Sequence, residues 1–347
     1  MPDVTVSFAT NRNPLPRERN IRDFGVEFNH ARPDELRYGK ALLADPGLAF
    51  DDALAVEAWV RGHAPRLEVF GERPRKGARP PVYGSSQLFD KLQALMREKG
   101  RDTLIYVHGY NTTFGEALAT AYGLQWHLRT RGPQGMRPCN VVLFSWPSDG
   151  KMTPFTAYRS DRDDAELTGR ALGRMLLRIG SLLKEVATDD ACDGRVHLMC
   201  HSMGNHVLEH AMRAVHDNLP GRLPRIFHEV LLLASDVDAD ALQEVSKLAL
   251  VANLARRVTV YHNRRDAALA TSDLTKGNPD RLGHAGPANM ALLPAKVDVV
   301  DCTAVRHPFP HHGYHLATEV LADVAVTLGG EPRGPAGWNP AHGRWVL

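Results

Sequence analysis

What constrains this chain most is the alternation of short apolar runs with helical stretches. From Arg101 onward, "DTLIYVHG", "NVVLFSWPS", "RVHLMCH", "HEVLLLAS", "RVTVYHN" and "AKVDVVDC" are each rich in aliphatic and β-branched residues and end in turn-forming or polar residues. Between them lie segments with helical spacing. "TTFGEALATAYGLQWHLRTRG" offers a cap at Thr112 or Thr113, and "SDRDDAELTGRALGRMLLRIGSLLKEVA" begins acidic and carries Lys184 near its end, the polarity a helix dipole favours. Further helices are expected from Met203 to about Val215, near Ala239 to Ala249, and in "GYHLATEVLADVAVTL". Runs that are apolar on both faces, separated by helices, read as βαβ units. The expectation is an α/β fold with a mostly parallel, doubly covered sheet over residues 101–328.

The flanks are less periodic. "VTVSFAT" and "RLEVFG" read as strands and "DDALAVEAWVRG" as a helical turn or two, so residues 1–100 are expected to form an N-terminal extension packed on the main body. Residues 329–347, rich in glycine and proline, read as an extended tail. With 43% hydrophobic and 24% charged residues, the 347-residue chain has the composition of a globular protein rather than a disordered one. A net charge of +2 argues against nucleic acid or an acidic membrane surface as partner. The basic "RPRKGARPP" is punctuated like a solvated loop. Cys139, Cys192, Cys200 and Cys302 form no CxxC pair, which disfavours a zinc ribbon or disulfide framework and suits a reducing compartment. No signal-like start and no membrane-length apolar run is evident, so a cytoplasmic protein without stable membrane insertion is expected.

The chemistry concentrates where "RVHLMC" ends, at Cys200-His201-Ser202-Met203-Gly204. A serine on a sharp strand-to-helix turn presents its Oγ at the carboxyl end of the sheet, where functional groups gather in open α/β folds. Both flanking positions must be small. Gly204 is; Cys200 departs from the G-x-S-x-G pattern, and strand alternation directs its thiol into packing. His201, adjacent to the serine, diverges from it, and His206 faces out along the following helix.

A serine hydroxyl needs a base that is itself oriented by a carboxylate, in the chain order Ser, Asp or Glu, His. Asp266 follows "RVTVYHN", and His307, His311, His312 and His315 follow "KVDVVDC". His312, in the loop just before the last helix, is favoured over His311 and His315. Asp236 and Asp238, after "LLLAS", compete with Asp266, which strand position places ahead of them; each also has a plain reading as a helix cap. The Met203 amide and the Tyr110 amide of "YVHGYN" are the expected oxyanion donors, with Asn111 fixing that loop. Tyr110, Phe114 and Phe155 are candidates to line an apolar acyl pocket, whereas Trp146 reads as core. The segment from Thr271 to Met290 is a candidate wall or lid.

"TLIYVHGYNTTFGEAL", "VVLFSWPS", "LMCHSMGNHVL", "VTVYHNRRDAAL", "DRLGHAGP" and "HHGYH", with the opening "VSFATNR", resemble a bacterial α/β-hydrolase family of uncharacterised function, DUF900. The resemblance implies an α/β-hydrolase fold with Ser202, Asp266 and His312 as matching triad, and conveys no substrate. The expected activity is a cofactor-independent, metal-free serine hydrolysis of a small-molecule ester or related acyl bond through an acyl-enzyme. The alternatives are a catalytically silent hydrolase-fold scaffold, or a metal site built from "HPFPHHGYH" and Asp301, whose ligand spacing is poor.

Overall fold

The computed structural model describes residues 4–16, 20–45, 47, 49–71, 83–148, 156–187, 194–218, 225–274, 280–308, 310–335 and 337–347. In chain order the elements are β1 (Val4–Thr10), β2 (Pro14–Leu15), β3 (Asp23–Phe24), β4 (Arg37–Leu43), α1 (Ala53–Arg61), β5 (Arg66–Phe70), α2 (Gly84–Lys99), β6 (Asp102–Val107), α3 (Phe114–Thr130), β7 (Cys139–Ser145) and α4 (Thr156–Ala187). There follow β8 (Val196–His201), α5 (Gly204–Asn218), β9 (Phe227–Leu233), α6 (Val251–Leu254), β10 (Ala255–His262), α7 (Ala267–Leu274), α8 (Leu282–Ala285), β11 (Val297–Asp301), α9 (Thr318–Gly329), β12 (Trp338–Asn339) and β13 (Arg344–Val346).

The main sheet runs β12-β13-β11-β10-β9-β8-β6-β7-β1-β4-β5. Pairings from β1 through β7, β6, β8, β9, β10 and β11 to β13 are parallel, and antiparallel partners sit at both edges. Alternate residues of a strand reach different layers. Leu104 and Tyr106 of β6 join one buried cluster with α1, α3 and α9, while Ile105 and Val107 join the other with α2, α4 and α5. This is why the strands are apolar on both faces.

Local signals set the helix starts. Asp52 caps α1 through the Ala55 amide, and Thr113 with Glu116 forms a reciprocal capping box at the start of α3. The segment near Ala239 to Ala249 departs from its expected helix and folds as successive turns. There Lys247 draws in Asp238, Asp240 and Glu244, and an isolated bridge joins Asp238 to Arg281. These contacts, made across turns, replace a regular ladder.

The two flanks are more integrated than periodicity suggests. β1 pairs with β7 from Ser7↔Val142 to Thr10↔Ser145, and β4 and β5 continue the sheet beyond it. The tail forms a hairpin whose β13 lies parallel to β11. Arg333 anchors it, bonding Asp323, Asp298 and Thr327 from a nearly buried position. No helix among the described residues is long and apolar enough to cross a membrane.

Phe114, a candidate pocket residue, is instead core. It is 1% exposed and packs against Phe8 (5.2 Å between ring centroids) and Phe24 (4.8 Å). As the first residue of α3 it joins the buried cluster that includes Val6 and Phe8 of β1. Truncation by Phe114→Ala is expected to cost ~3–5 kcal/mol of folding stability, read by urea denaturation.

Candidate active site

Ser202 closes β8 and opens α5 with φ +53°, a left-handed backbone that a serine adopts only when its surroundings impose it. Several contacts do so. The Ser202 amide donates to the Leu233 carbonyl at 3.0 Å, and the Asp236 amide donates to the Ser202 carbonyl at 3.3 Å. The Asn205 side-chain amide donates to the carbonyls of Cys200 (3.2 Å), Ser202 (3.0 Å) and Leu233 (3.3 Å), latching the turn to β9. Gly204 lies so close to the end of β6 that an added Cβ would stand 2.6 Å from the His108 carbonyl oxygen. Cys200 fits its position by packing away from the turn, fully buried, and burial pushes its thiol far up from its ordinary range.

His312 bridges the group. Its Nε2 is 2.8 Å from Ser202 Oγ and its Nδ1 is 2.7 Å from Asp266 Oδ2. A carboxylate only accepts, so Nδ1 carries the proton and Nε2 presents its lone pair to the hydroxyl. Asp266 is fully buried and divides its oxygens: Oδ2 meets His312, and Oδ1 accepts the Ala268 and Leu269 amides at 3.1 Å each. The helix-cap role and the His312 contact therefore coexist in one side chain. Asp236 is committed elsewhere. It accepts from the Tyr158 hydroxyl at 2.5 Å and lies 3.3 Å from Arg281 Nε. Asp238 pairs with Arg281 Nη1 at 2.6 Å.

The serine was expected to stand clear at the top of the sheet. Instead it lies in a recess, 4% exposed, while the His312 side chain keeps 22% exposure. The recess is narrow because Gly109 packs on the Ser202 turn, where an added Cβ would be 2.7 Å from Ser202 Cβ. Met203 is buried beside Ser202 at the head of α5, and its carbonyl accepts from His206 and Val207.

The loop after β6 is braced by buried polar groups. The His108 ring accepts the Trp146 amide at Nε2 (3.1 Å), so Nδ1 donates to the Gly109 carbonyl (2.9 Å), and the ring stacks on Trp146. The Asn111 backbone amide, rather than its side chain, fixes the loop by donating to Ser148 Oγ at 2.7 Å; Ser148 in turn donates to Asp161 of α4 at 2.7 Å. Arg12, fully buried just past β1, donates to the Thr112 carbonyl (2.5 Å), Ser145 Oγ (2.8 Å) and the Gly25 carbonyl (3.1 Å). Burial pulls its guanidinium down to about 9, against the raising influence of Asp23, Asp161 and Glu116, so it stays charged at neutral pH. No local pattern in the sequence marks Arg12, Ser148 or Asp161 as part of the site. The one legible trace was the opening "VSFATNR", noticed only as a motif.

The neighbouring imidazoles are packing groups. His201 contacts the His312 carbonyl through Nε2 at 3.2 Å and stacks on His315 with ring centroids 3.7 Å apart. Asp301 is held by Thr303 and Arg344, and among the described residues it forms no metal-ligating group with His307, His311, His312 or His315. His206, expected to face out, is buried instead. Trp146 is core, Tyr110 packs against Tyr158, and Phe155 lies outside the described residues, as does part of the segment expected to form a lid.

With that geometry in place, the profile of a family described as α/β hydrolase of unknown function, DUF900, matches residues 86–328. The chain belongs to that family. Its α/β-hydrolase fold is the one described above, and the matched span begins after β1 and Arg12. No curated protein matches the chain in sequence. Among solved structures, it is similar to Aspergillus fumigatus lipase B, at 9% identity over 66% of this chain and 51% of that one, with a TM-score of 0.32. Est1E from Butyrivibrio proteoclasticus matches at 12% identity over 66% of this chain and 89% of that one, with a TM-score of 0.31. A Trichoderma reesei cutinase in complex with a C11Y4 phosphonate inhibitor matches at 15% identity over 71% and 84%, with a TM-score of 0.26. The DUF900 chain thus spans about half of the lipase, and likenesses this low carry no argument about activity.

Burial of so many imidazoles has a consequence for stability. Burial lowers His108 and His315 to about 3 and His262 to about 4, and carries His201 well below its ordinary 6.5. The unfolded chain binds these protons near pH 6.5, whereas the folded chain resists them until near pH 3–4. The stability contributed by keeping them neutral is therefore complete above about pH 6.5 and is lost as pH falls below it. Each group steepens the slope by up to ~1.4 kcal/mol per pH unit. Urea denaturation at pH 7 and pH 5 should show a clear fall in the midpoint; an unchanged midpoint contradicts the assignment of neutral rings.

Proposed function

We propose that this DUF900 protein is a serine hydrolase that cleaves a carboxylic ester, or a related acyl bond, in a small molecule through an acyl-enzyme. The observation that carries this reading is the continuous chain from Ser202 Oγ through His312 to the buried Asp266, at 2.8 Å and 2.7 Å, with the serine on a left-handed turn. Ser202 Oγ attacks the carbonyl carbon while His312 Nε2 takes its proton. Asp266 holds the ring in the required tautomer and stabilises the imidazolium. The tetrahedral oxygen receives the Met203 amide and the Tyr110 amide. As the intermediate collapses, the ester C–O bond breaks and His312 returns the proton to the departing alcohol. Water then attacks the acyl-serine by the same proton path, releasing the acid and restoring Ser202.

Ser202→Ala and His312→Ala are expected to lower kcat on p-nitrophenyl esters by on the order of 10⁶-fold and to abolish labelling by a fluorophosphonate. Asp266→Asn should lose ~10⁴-fold, because the ring then takes the wrong tautomer. Asp236→Asn should leave most of the activity. Folded wild-type protein that neither labels nor turns over any acyl length would instead identify a silent hydrolase-fold scaffold.

Deleting the Tyr110 amide would take a proline that also refixes the loop backbone, so Arg12 is the cleaner handle on it. Removing the guanidinium that grips Thr112 loosens the loop carrying that donor. Arg12→Met is expected to reduce kcat by up to the ~100–1,000-fold worth of one oxyanion donor, with little change in KM and partial rescue by Arg12→Lys. A KM effect without a kcat effect would refute this role.

A further inference from the structure

One cluster of metal-ligating side chains takes no part in the proposed reaction. His206, Glu209 and His210 lie on one face of α5, at spacings that helical geometry superposes. Their ligand atoms all fall within 4.8 Å of one another, and the two rings meet edge to face with centroids 4.6 Å apart. The cluster is not a solvated stripe: His206 and Glu209 are buried, and the His210 side chain keeps only 10% exposure. It faces α4. Gly169 of α4 lets the helices close so tightly that an added Cβ would stand 2.4 Å from His210 Cβ. One turn earlier, Glu166 Oε1 is 3.9 Å from His210 Nδ1.

We propose that His206, Glu209 and His210, with Glu166 of α4, form a binding site for a zinc-class divalent ion that clamps α4 to α5. A histidine pair four residues apart on a helix is the spacing by which helices hold zinc, and a carboxylate beside it completes a borderline N/O donor set. Zinc ligands at ~2.0–2.2 Å require the donors to draw together, which rotation of the exposed Glu166 side chain and of Glu209 supplies. Glu209 Oε1 is paired with Arg213 at 2.8 Å. Arg213 is half-exposed and also holds the Ser246 carbonyl, so it acts as a resident cation that the metal displaces from Glu209. The site lies behind the Ser202 turn and is independent of the hydrolase reading.

The test is titration of the chelator-treated full chain with Zn²⁺ by calorimetry, with Co²⁺ visible absorption reporting the donor set and thermal unfolding confirming that each variant folds. One ion per chain is expected, retained by His312→Ala, which breaks the other imidazole–carboxylate group. His210→Gln should weaken binding by more than about tenfold, and Glu166→Gln should weaken it less. Arg213→Gln should tighten it. The proposal is overturned if neither wild type nor Arg213→Gln takes up a stoichiometric ion, if folded His210→Gln binds like wild type, or if His312→Ala abolishes binding.

Discussion

The left-handed turn at Ser202 is the constraint from which the site follows. Holding a serine there costs about 1–3 kcal/mol, which contacts to the neighbouring strands must offset. The compensation comes from neighbouring strands: the Leu233 carbonyl takes the Ser202 amide, and Asn205 spans carbonyls of both β8 and β9. Gly109 and Gly204 permit the end of β6 to approach from the other side. Were β6, β8 and β9 not adjacent in the sheet, the turn would relax and the hydroxyl would leave His312.

Strand order explains why the site forms here. The chain visits β6, then β7, then β8, but in space β6 lies between the other two. The connection out of β6 runs one way to β7 and the connection out of β8 runs the other way to β9, so the carboxyl ends of β6 and β8 open a crevice at that reversal. The Gly109 loop and the Ser202 turn flank it. Asp266 and the loop bearing His312 arrive from β10 and β11, farther along the same rim.

Charge burial does the remaining work. Arg12, His108, Ser148 and Asp161 come from four separate parts of the chain and converge beneath one short loop. Buried hydrogen-bonded polar groups are costly to leave half satisfied, so such a set fixes a single loop geometry. Here the N-terminal strand takes on a role beyond packing, since β1 leads into Arg12, a fully buried arginine that reaches the Thr112 carbonyl.

Much of this was readable in one dimension. Runs such as "VVLF" and "VLLLA" are apolar at every position, which requires cover on both faces and hence a parallel sheet between helices. The serine at a strand-to-helix junction and the later Asp and His followed from the same periodicity, because strand ends place residues along one rim. What could not be read was which of several equivalent groups meet. Asp236 and Asp266 both follow strands and both suit a cap; only packing turned the first toward Tyr158 and Arg281 and the second toward His312. Phe114 reads as a pocket aromatic, yet the packing of α3 on β1 sets its ring against Phe8. Residues 239–249 carried helical spacing, yet Lys247 and Arg281 drew them into turns. Periodicity reports how a segment faces the core, whereas pairing between distant polar groups depends on distances that exist only once the sheet has assembled.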